Sequence, residues 1–498
     1  MLLCSSIGSI SLFGLLSGFT LAVSLFTFFG FDGIYNTVFD EQNVLKEEND
    51  GQLTKTTFWW TKPPVKTYQD FYFFNIMNPI DVEYFGATPV VQEVGPFVVK
   101  NVNIKDNLTF SEDGNKVKYH NYRTFIYDEE LSCDTCKYDS LVQVPNLVAL
   151  GTLGELADPR YEVPEHIQWA ISYLMIFVGE YPFVQVEVGK LLFDGYNDAL
   201  LSAAHSELVN FLQKYVNNKT VPVPFPEMHY MAMFNAYNNS HDSEYEVYTG
   251  KDDPAKKGQI ISWNGQNYLP FSWWNNETTA SDLRGTDSGQ FAPAHLTPDT
   301  IASMFQSYMC RSFNLTYKKD TSVHGIKTYR FEGIPEDFDT TLPENAGFRY
   351  ANSEEINYFE NWPNCDGYEQ NENITVNCTR PEFFCDERCN GSKVDNTYLL
   401  PPGMYPVNCY PGRPLETPFR LLFSAPHFAG SPKQVRESII GYREMNDAGT
   451  VFSFDYEPKS GVPLALNLRF QLSIPFGRMD KFATFSGLTT TIIWSNMQ

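Results

Sequence analysis

From Ile7 to Phe31 the chain runs for 25 residues without a charge, and the run ends at Asp32. A helix of that length crosses the roughly 30 Å hydrocarbon core of a bilayer, so the pattern predicts a transmembrane helix within residues 1–31. Gly8, Gly14, Gly18 and Gly30 inside it suit close packing in a membrane. A cleaved signal peptide is the alternative, with Met1 to Ser6 as its short leading region. That region holds no Lys or Arg, so the positive-inside rule assigns no orientation.

Residues 32–498 show no repeat, low-complexity run or Pro/Gly-rich linker and read as a single ectodomain. Strand signals dominate its two ends. Leu464, Leu466, Leu468, Phe470, Leu472 and Ile474 alternate with more polar residues over eleven positions, which predicts one strand with one apolar face. Phe452, Phe454 and Tyr456 alternate just upstream, and the turn signals Glu457-Pro458 and Ser460-Gly461 between them predict a hairpin. Pro63-Pro64 and Asn78-Pro79 force extended or turn geometry between strands. In the middle the period changes to that of a helix. Ile167, Ala170, Ile171, Leu174, Met175 and Val178 predict a helix over about 164–178; Leu200, Leu201, Ala204, Leu208, Phe211, Leu212 and Tyr215 predict another over about 197–216. Core packing accounts for both stripes without any special function.

Aromatic residues make up 15% of the chain, through 40 Phe and 29 Tyr, a load that suits broad packed β surfaces. The formal charge of −24 argues against nucleic acid as a partner, because phosphate binding rests on Lys and Arg. Eight of the nine cysteines lie beyond residue 130 and only Cys4 stands apart. Zinc could use such a set, but eight Asn-x-Ser/Thr sequons favour the secretory pathway, where disulfides persist: Asn107, Asn218, Asn238, Asn276, Asn314, Asn373, Asn377 and Asn390. Together they place residues 32–498 on the extracellular or luminal side of a membrane.

Enzyme signatures are missing. The chain has no Gly-x-Ser-x-Gly elbow, His-Glu-x-x-His pair, P-loop or dinucleotide glycine fingerprint. Cys133-Asp-Thr-Cys136 has redox spacing, but no helical pattern follows it, so it reads as a tight structural disulfide. Cys385 and Cys389 with His427 match no common zinc spacing, and His427, after a proline, reads as a hydrogen-bonded structural residue. No catalytic group, metal or cofactor is expected, and thiol oxidoreductase is the remote enzymatic alternative.

Phe58-Trp-Trp-Thr-Lys-Pro-Pro-Val-Lys-Thr-Tyr68, Phe73-Phe-Asn-Ile-Met-Asn-Pro79 and Gln92-Glu-Val-Gly-Pro-Phe97 begin a series of motifs. It continues through Val144-Pro-Asn146, Leu191-Leu-Phe-Asp-Gly-Tyr-Asn-Asp198, Tyr248-Thr-Gly250, Arg284-Gly-Thr-Asp287 and Met309-Cys-Arg-Ser312. It closes with Cys409-Tyr-Pro-Gly-Arg-Pro414, Ala425-Pro-His-Phe428 and Asp455-Tyr-Glu-Pro-Lys-Ser-Gly461. In this order and spacing the chain resembles the class B scavenger receptor family, which includes lysosomal integral membrane protein type 2, croquemort and the sensory neuron membrane proteins. The resemblance implies a β-dominated mixed fold: a large irregular antiparallel β-barrel with a hydrophobic tunnel, topped by a helical-bundle cap inserted at about 150–216. It implies a receptor that binds or transfers lipids or lipoprotein-like particles, at the plasma membrane or in lysosomes and endosomes. A sorting receptor that carries a soluble luminal protein is the alternative. The disulfide Cys310–Cys409 follows from the matching motifs, and Cys385–Cys389, Cys365–Cys378 and Cys133–Cys136 complete the expected set. One family bridge is missing from both ends, with Ala280 near one place and Phe383-Phe-Cys385 where members have Cys-Phe-Cys. The family's second membrane helix would follow the last matched segment, where this sequence stops at Gln498; the expectation is either an incomplete product or a single-pass protein.

The cap residues expected to meet ligand are Glu165, His166, Ile167, Ile171 and Leu174. From Gly151 to Val188 the segment holds Glu155, Asp158, Glu162, Glu165, Glu180 and Glu187 against Arg160 alone, so the cap is expected to be acidic and to prefer a neutral lipid or a basic protein. His166 would gain charge toward pH 5 and soften that acidity.

Overall fold

The computed structural model describes residues 16–21, 23, 24, 26, 31–156, 164–204, 230–234, 237–274, 279–340, 342–349, 393, 394, 397, 398, 400, 401, 403–409, 412, 416–431, 433–443, 451–476, 491–493, 496 and 497. Most of the predicted membrane segment lies outside them, and its described part is helical. Among the described residues no helix is long and apolar enough to cross a membrane.

Helix α1 (Phe31–Gln42) leads to α2 (Lys55–Thr61), strand β1 (Thr67–Ile76), helix α3 (Pro79–Phe85) and the long strands β2 (Val91–Phe110) and β3 (Lys116–Tyr127). The Asn78-Pro79 step is a helix start rather than an extended link. Pro79 takes the first helical position, where its missing N–H costs nothing, while Asn78 Nδ2 donates to the Thr88 carbonyl and Asn78 Oδ1 accepts from the Val90 amide. Strand β4 (Leu141–Pro145) pairs with β5 (Phe183–Glu187) at the base of a helical insertion made of α4 (Leu147–Leu156), α5 (Glu165–Val178) and α6 (Ala199–Ala204). The predicted helix at 164–178 matches α5 closely. Of the one at 197–216, α6 is the described part, and the remainder falls outside the described residues.

The rest of the chain is mostly sheet. Its strands are β6 (Ser240–Tyr248), β7 (Ile260–Trp263), β8 (Thr286–Asp287), β9 (Ala302–Gln306), β10 (Arg311–Val323), β11 (Ile326–Gly333), β12 (Lys393–Val394), β13 (Thr397–Tyr398), β14 (Met404–Cys409) and β15 (Glu416–Ser424). After them come β16 (Phe452–Tyr456), β17 (Pro463–Leu468), β18 (Phe470–Phe476), β19 (Thr491–Ile493) and β20 (Asn496–Met497). A ten-stranded sheet runs β14-β15-β18-β20-β1-β2-β3-β6-β7, with β19 beside β18, and a six-stranded sheet runs β17-β16-β11-β10-β9-β8. Pairing is antiparallel except between β8 and β9.

These two curled half-barrel sheets meet at both ends. At one end Gln259, just before β7, bridges Thr286 in β8, and the Ile260 amide donates to the Gly285 carbonyl at 2.8 Å. Gly285 has a positive φ and lies against the Ser303 backbone, where any Cβ would collide with the Ser303 carbonyl. At the other end the chain itself makes the join. The predicted hairpin forms between β16 and β17, but the predicted strand over 464–474 divides at Arg469, whose amide turns to the Val451 carbonyl. Its first half stays in the small sheet and its second half enters the large one. Leu464 and Leu466 consequently lie exposed, whereas Leu472 and Ile474 are buried, so the alternation in sequence runs through two environments.

Candidate functional site

The surface of the insertion is the first candidate. Helix α5 buries Gln168, Ser172 and Met175, spaced as one helical face. The aliphatic stripe that predicts its core face, including Ile167, Ile171 and Leu174, is only half-buried, and Glu165 and His166 are exposed in the first turn. Outward lie Tyr173 and Phe177, the latter 87% exposed. Tyr181 follows the helix, and Ile80, Tyr84 and Phe85 stand exposed on α3. Tyr181 is near enough to Tyr84 to act on its hydroxyl, whose pKa is held up first by Glu83. The outer face thus carries aromatic rings that lie outside the apolar stripe of α5.

The expected acidity of this region is correspondingly reduced. Glu180 turns inward: its carboxylate accepts from Asn146 Nδ2 at 2.7 Å and from the Ala199 amide at 2.9 Å, tying the starts of α4 and α6 to the end of α5. Glu187 pairs with Lys190 at 2.7 Å. Asp198 caps α6 through the Leu201 amide, and burial with the neighbouring Glu180 pushes its carboxyl up to about 7. Glu155, Asp158, Arg160 and Glu162 have no described side chain.

Inside, apolar side chains form two clusters. The larger includes Phe71, Phe125, Phe234 and Phe313 together with insertion residues such as Leu153 and Met175. The smaller gathers Trp60, Tyr119, Tyr245, Trp263 and Trp274. Strand β3 shows what lies between them. Its inward residues run Val117, Tyr119, Asn121, Arg123 and Phe125, passing from the small cluster through two polar positions into the large one. Arg123 Nη2 is 3.1 Å from Asp242 and 3.9 Å from Asp287. Tyr245 and Ser307 donate to Asp242, and Asn121 and Tyr119 donate to Asp287. Lys105 is buried beside this layer, over the rings of Trp60 and Tyr119, and burial holds its pKa down near 8. An arginine in phase with Val117, Tyr119 and Phe125 was the signal available in the sequence, a charge on an otherwise apolar strand face.

A cleft of about 270 Å³ opens where β7 meets β8, lined by Lys257, Gln259, Leu283, Arg284, Phe291 and Ile301 among others. Lys257 Nζ donates to Asn43 Oδ1 and the Ser460 carbonyl, and burial lowers its pKa to about 7. Cys310 and Cys409 are bonded with Cα atoms 6.3 Å apart, as are Cys133 and Cys136 at 4.9 Å. Cys365, Cys378, Cys385 and Cys389 lie outside the described residues, as do Asn218, Asn276, Asn373, Asn377 and Asn390. His427 is buried: its Nε2 lies 2.9 Å from Glu93, and its ring stacks on Phe74. Among the described residues no group of acidic, His and Cys side chains could hold a metal.

Residues 14–495 match the profile of the CD36 family. An uncharacterised protein of Caenorhabditis elegans is 36% identical over 442 residues, covering 89% of this chain and 79% of that one. Human lysosome membrane protein 2 is 25% identical over 434 residues, covering 87% of this chain and 74% of its own length. Rat scavenger receptor class B member 1 is 27% identical over 434 residues, covering 87% and 70%.

Proposed function

Because the chain belongs to the CD36 family of membrane receptors, we propose that it binds lipids or lipid-carrying particles through the outer face of α5 and α3 and passes the acyl portion toward the large internal cluster. The observation that carries this reading is the outer face of α5, where Tyr173 and Phe177 stand exposed while Gln168, Ser172 and Met175 are buried. Such an exposed aromatic surface marks an interaction site rather than a solvated helix face. The aromatic cluster beneath it supplies the apolar surroundings an acyl chain needs. Neither α3 nor α5 carries a Lys or Arg, so this face does not support capture of anionic particles: Tyr173, Phe177 and Tyr181 favour an uncharged lipid or the apolar surface of a particle.

The test is mass spectrometry of lipid extracted from the purified chain, beside liposome binding by the native chain and by Tyr173→Ser/Phe177→Ser. The expected result is bound neutral lipid or phospholipid, with binding to uncharged liposomes that is insensitive to salt and lost in the variant. Lipid-free protein that instead captures a soluble luminal protein at neutral pH would favour the sorting-receptor reading. A steep, salt-sensitive preference for anionic liposomes would show that charge rather than apolar surface drives binding.

A further inference from the structure

The second outward aromatic face lies far from the cap in sequence, on α2. Residues Lys55, Phe58, Trp59 and Lys62 fall at the i, i+3, i+4 and i+7 positions of one helical face and are exposed. The opposite face is Thr57, Trp60 and Thr61, all buried. Trp60 Nε1 donates to Gln290 at 3.0 Å, and its ring meets Tyr119 edge-on, so α2 cannot rotate to hide Phe58 and Trp59 without breaking that seat. Val65, 68% exposed, and Lys66 continue the surface beyond Pro63-Pro64. No acidic residue occurs from Gly51 to Gln69, and among the described residues no ion pair engages Lys55, Lys62 or Lys66.

Position distinguishes this face from an ordinary surface. Thr56 Oγ1 donates to the Gln42 carbonyl at 2.8 Å, and the Lys46 amide donates to Thr57 Oγ1 at 2.8 Å, so α2 is tied to the end of α1, the helix that follows the uncharged N-terminal stretch. Helix α1 has its own exposed apolar row, Phe31, Ile34, Tyr35 and Val38, again at i, i+3, i+4 and i+7. Its 12 residues span about 18 Å, so α2 reaches lipid only if α1 lies along the interface, and its apolar row is the face that such an orientation would bury.

We propose that the outer face of α2, with the apolar row of α1, rests at the headgroup–acyl boundary of the bilayer that anchors this same chain. Trp and Phe sit favourably at that depth, and Lys55, Lys62 and Lys66 reach phosphate while their stems stay in apolar surroundings. The adjoining hairpin tip carries Glu47, Glu48 and Asp50. These acids oppose attraction to anionic lipid, so aromatic burial in zwitterionic lipid drives the contact. The proposal rests on the chain being a membrane protein.

The experiment places the full chain in nanodiscs of phosphatidylcholine with or without acyl-chain bromination and reads Trp59 emission as the difference between native and Trp59→Phe protein. The expected result is loss of most of that emission in brominated lipid, with no gain when anionic lipid is added. Phe58→Trp in the Trp59→Phe background should restore a quenchable signal, which checks that the substitution has not displaced the helix. A chain that resists alkaline extraction yet shows unquenched Trp59 and no quenchable signal in the second variant overturns the proposal alone. A chain that alkali strips from membranes overturns the membrane reading and this proposal together. Quenching that appears only with anionic lipid overturns the aromatic drive argued above.

Discussion

Among the described residues Arg123 and Arg311 are both buried, and they are accommodated in different ways. Arg123 faces Asp242 at 3.1 Å, and its carboxylate partners are held in turn by Tyr245, Ser307, Asn121 and Tyr119. Burial pushes its guanidinium down, but Asp242, Tyr308 and Asp287 more than reverse this, and its pKa lies above the usual arginine value. Arg311 lies 4.0 Å from Asp337, its nearest carboxylate, and 3.6 Å over the ring of Phe348, with Phe313 and Tyr405 beside it. Its Nε and Nη1 have no hydrogen-bond partner, and burial lowers its pKa. One charge is balanced by a hydrogen-bonded carboxylate layer; the other rests in an aromatic cage next to the Cys310–Cys409 bond. Arg123 Nη1 also lacks a hydrogen-bond partner, so the difference lies in the close carboxylate: removing one member of such a pair leaves a large penalty, whereas a cation held mainly by rings loses about 1–2 kcal/mol.

The largest expected effect tests what holds the caged side. Replacing both Cys310 and Cys409 by Ser opens a crosslink between residues 99 apart and should cost roughly 4–5 kcal/mol, read from denaturant unfolding of the purified chain. On the paired side, Asp242→Asn should cost about 3–5 kcal/mol, because Arg123 would keep only the more distant Asp287. Adding Arg123→Gln to it should recover part of the loss. Arg311→Met should cost less, about 1–2 kcal/mol, since it trades a poorly paired charge for an apolar side chain. Equal losses for Asp242→Asn and Arg311→Met would erase the distinction drawn here.

A third buried charge sharpens the comparison, because Asp198 faces a carboxylate instead of a cation. Its folded pKa of about 7 lies above the ordinary value of 3.8. Between those values the folded chain holds a proton that the unfolded chain has released, so stability should rise as pH falls from 7 toward 4, and the destabilisation should be complete above 7. Asp198→Asn keeps the cap to α6 and should flatten this dependence in melting or hydrogen-exchange measurements over 147–204. The smallest effect is at the surface. Asn107 is exposed, whereas Asn314 is half-buried in β10 and accepts from Ser303, so glycopeptide analysis should find Asn107 occupied more fully than Asn314.

Local patterns were legible. Helix α5 and the β16–β17 hairpin follow from periods of 3.6 and two and from Pro/Gly turns, which depend on neighbours a few positions away. Their orientation was not legible. The apolar stripe of α5 predicts Met175 as buried and brings Ile167 and Ile171 against the core, yet the buried face is rotated so that Gln168 and Ser172 join it, because the surrounding elements dictate which side is covered. Glu180 counted as surface acidity until Asn146 and the Ala199 amide claimed it. The alternation over 464–474 does not reveal that Arg469 changes sheets, since both halves keep the same period.

By itself the sequence determined the class of this protein: an uncharged N-terminal stretch, an aromatic β-rich body with a helical insertion, cysteines and sequons suited to a secretory compartment, and motifs whose order matches one family. Only the tertiary structure decided which side chains face solvent or one another. Asn121 and Asp287 are 166 positions apart, and their 3.1 Å contact exists because two sheets close on each other. Periodicity records a residue's neighbours along the chain, but burial and charge pairing are set by neighbours in space.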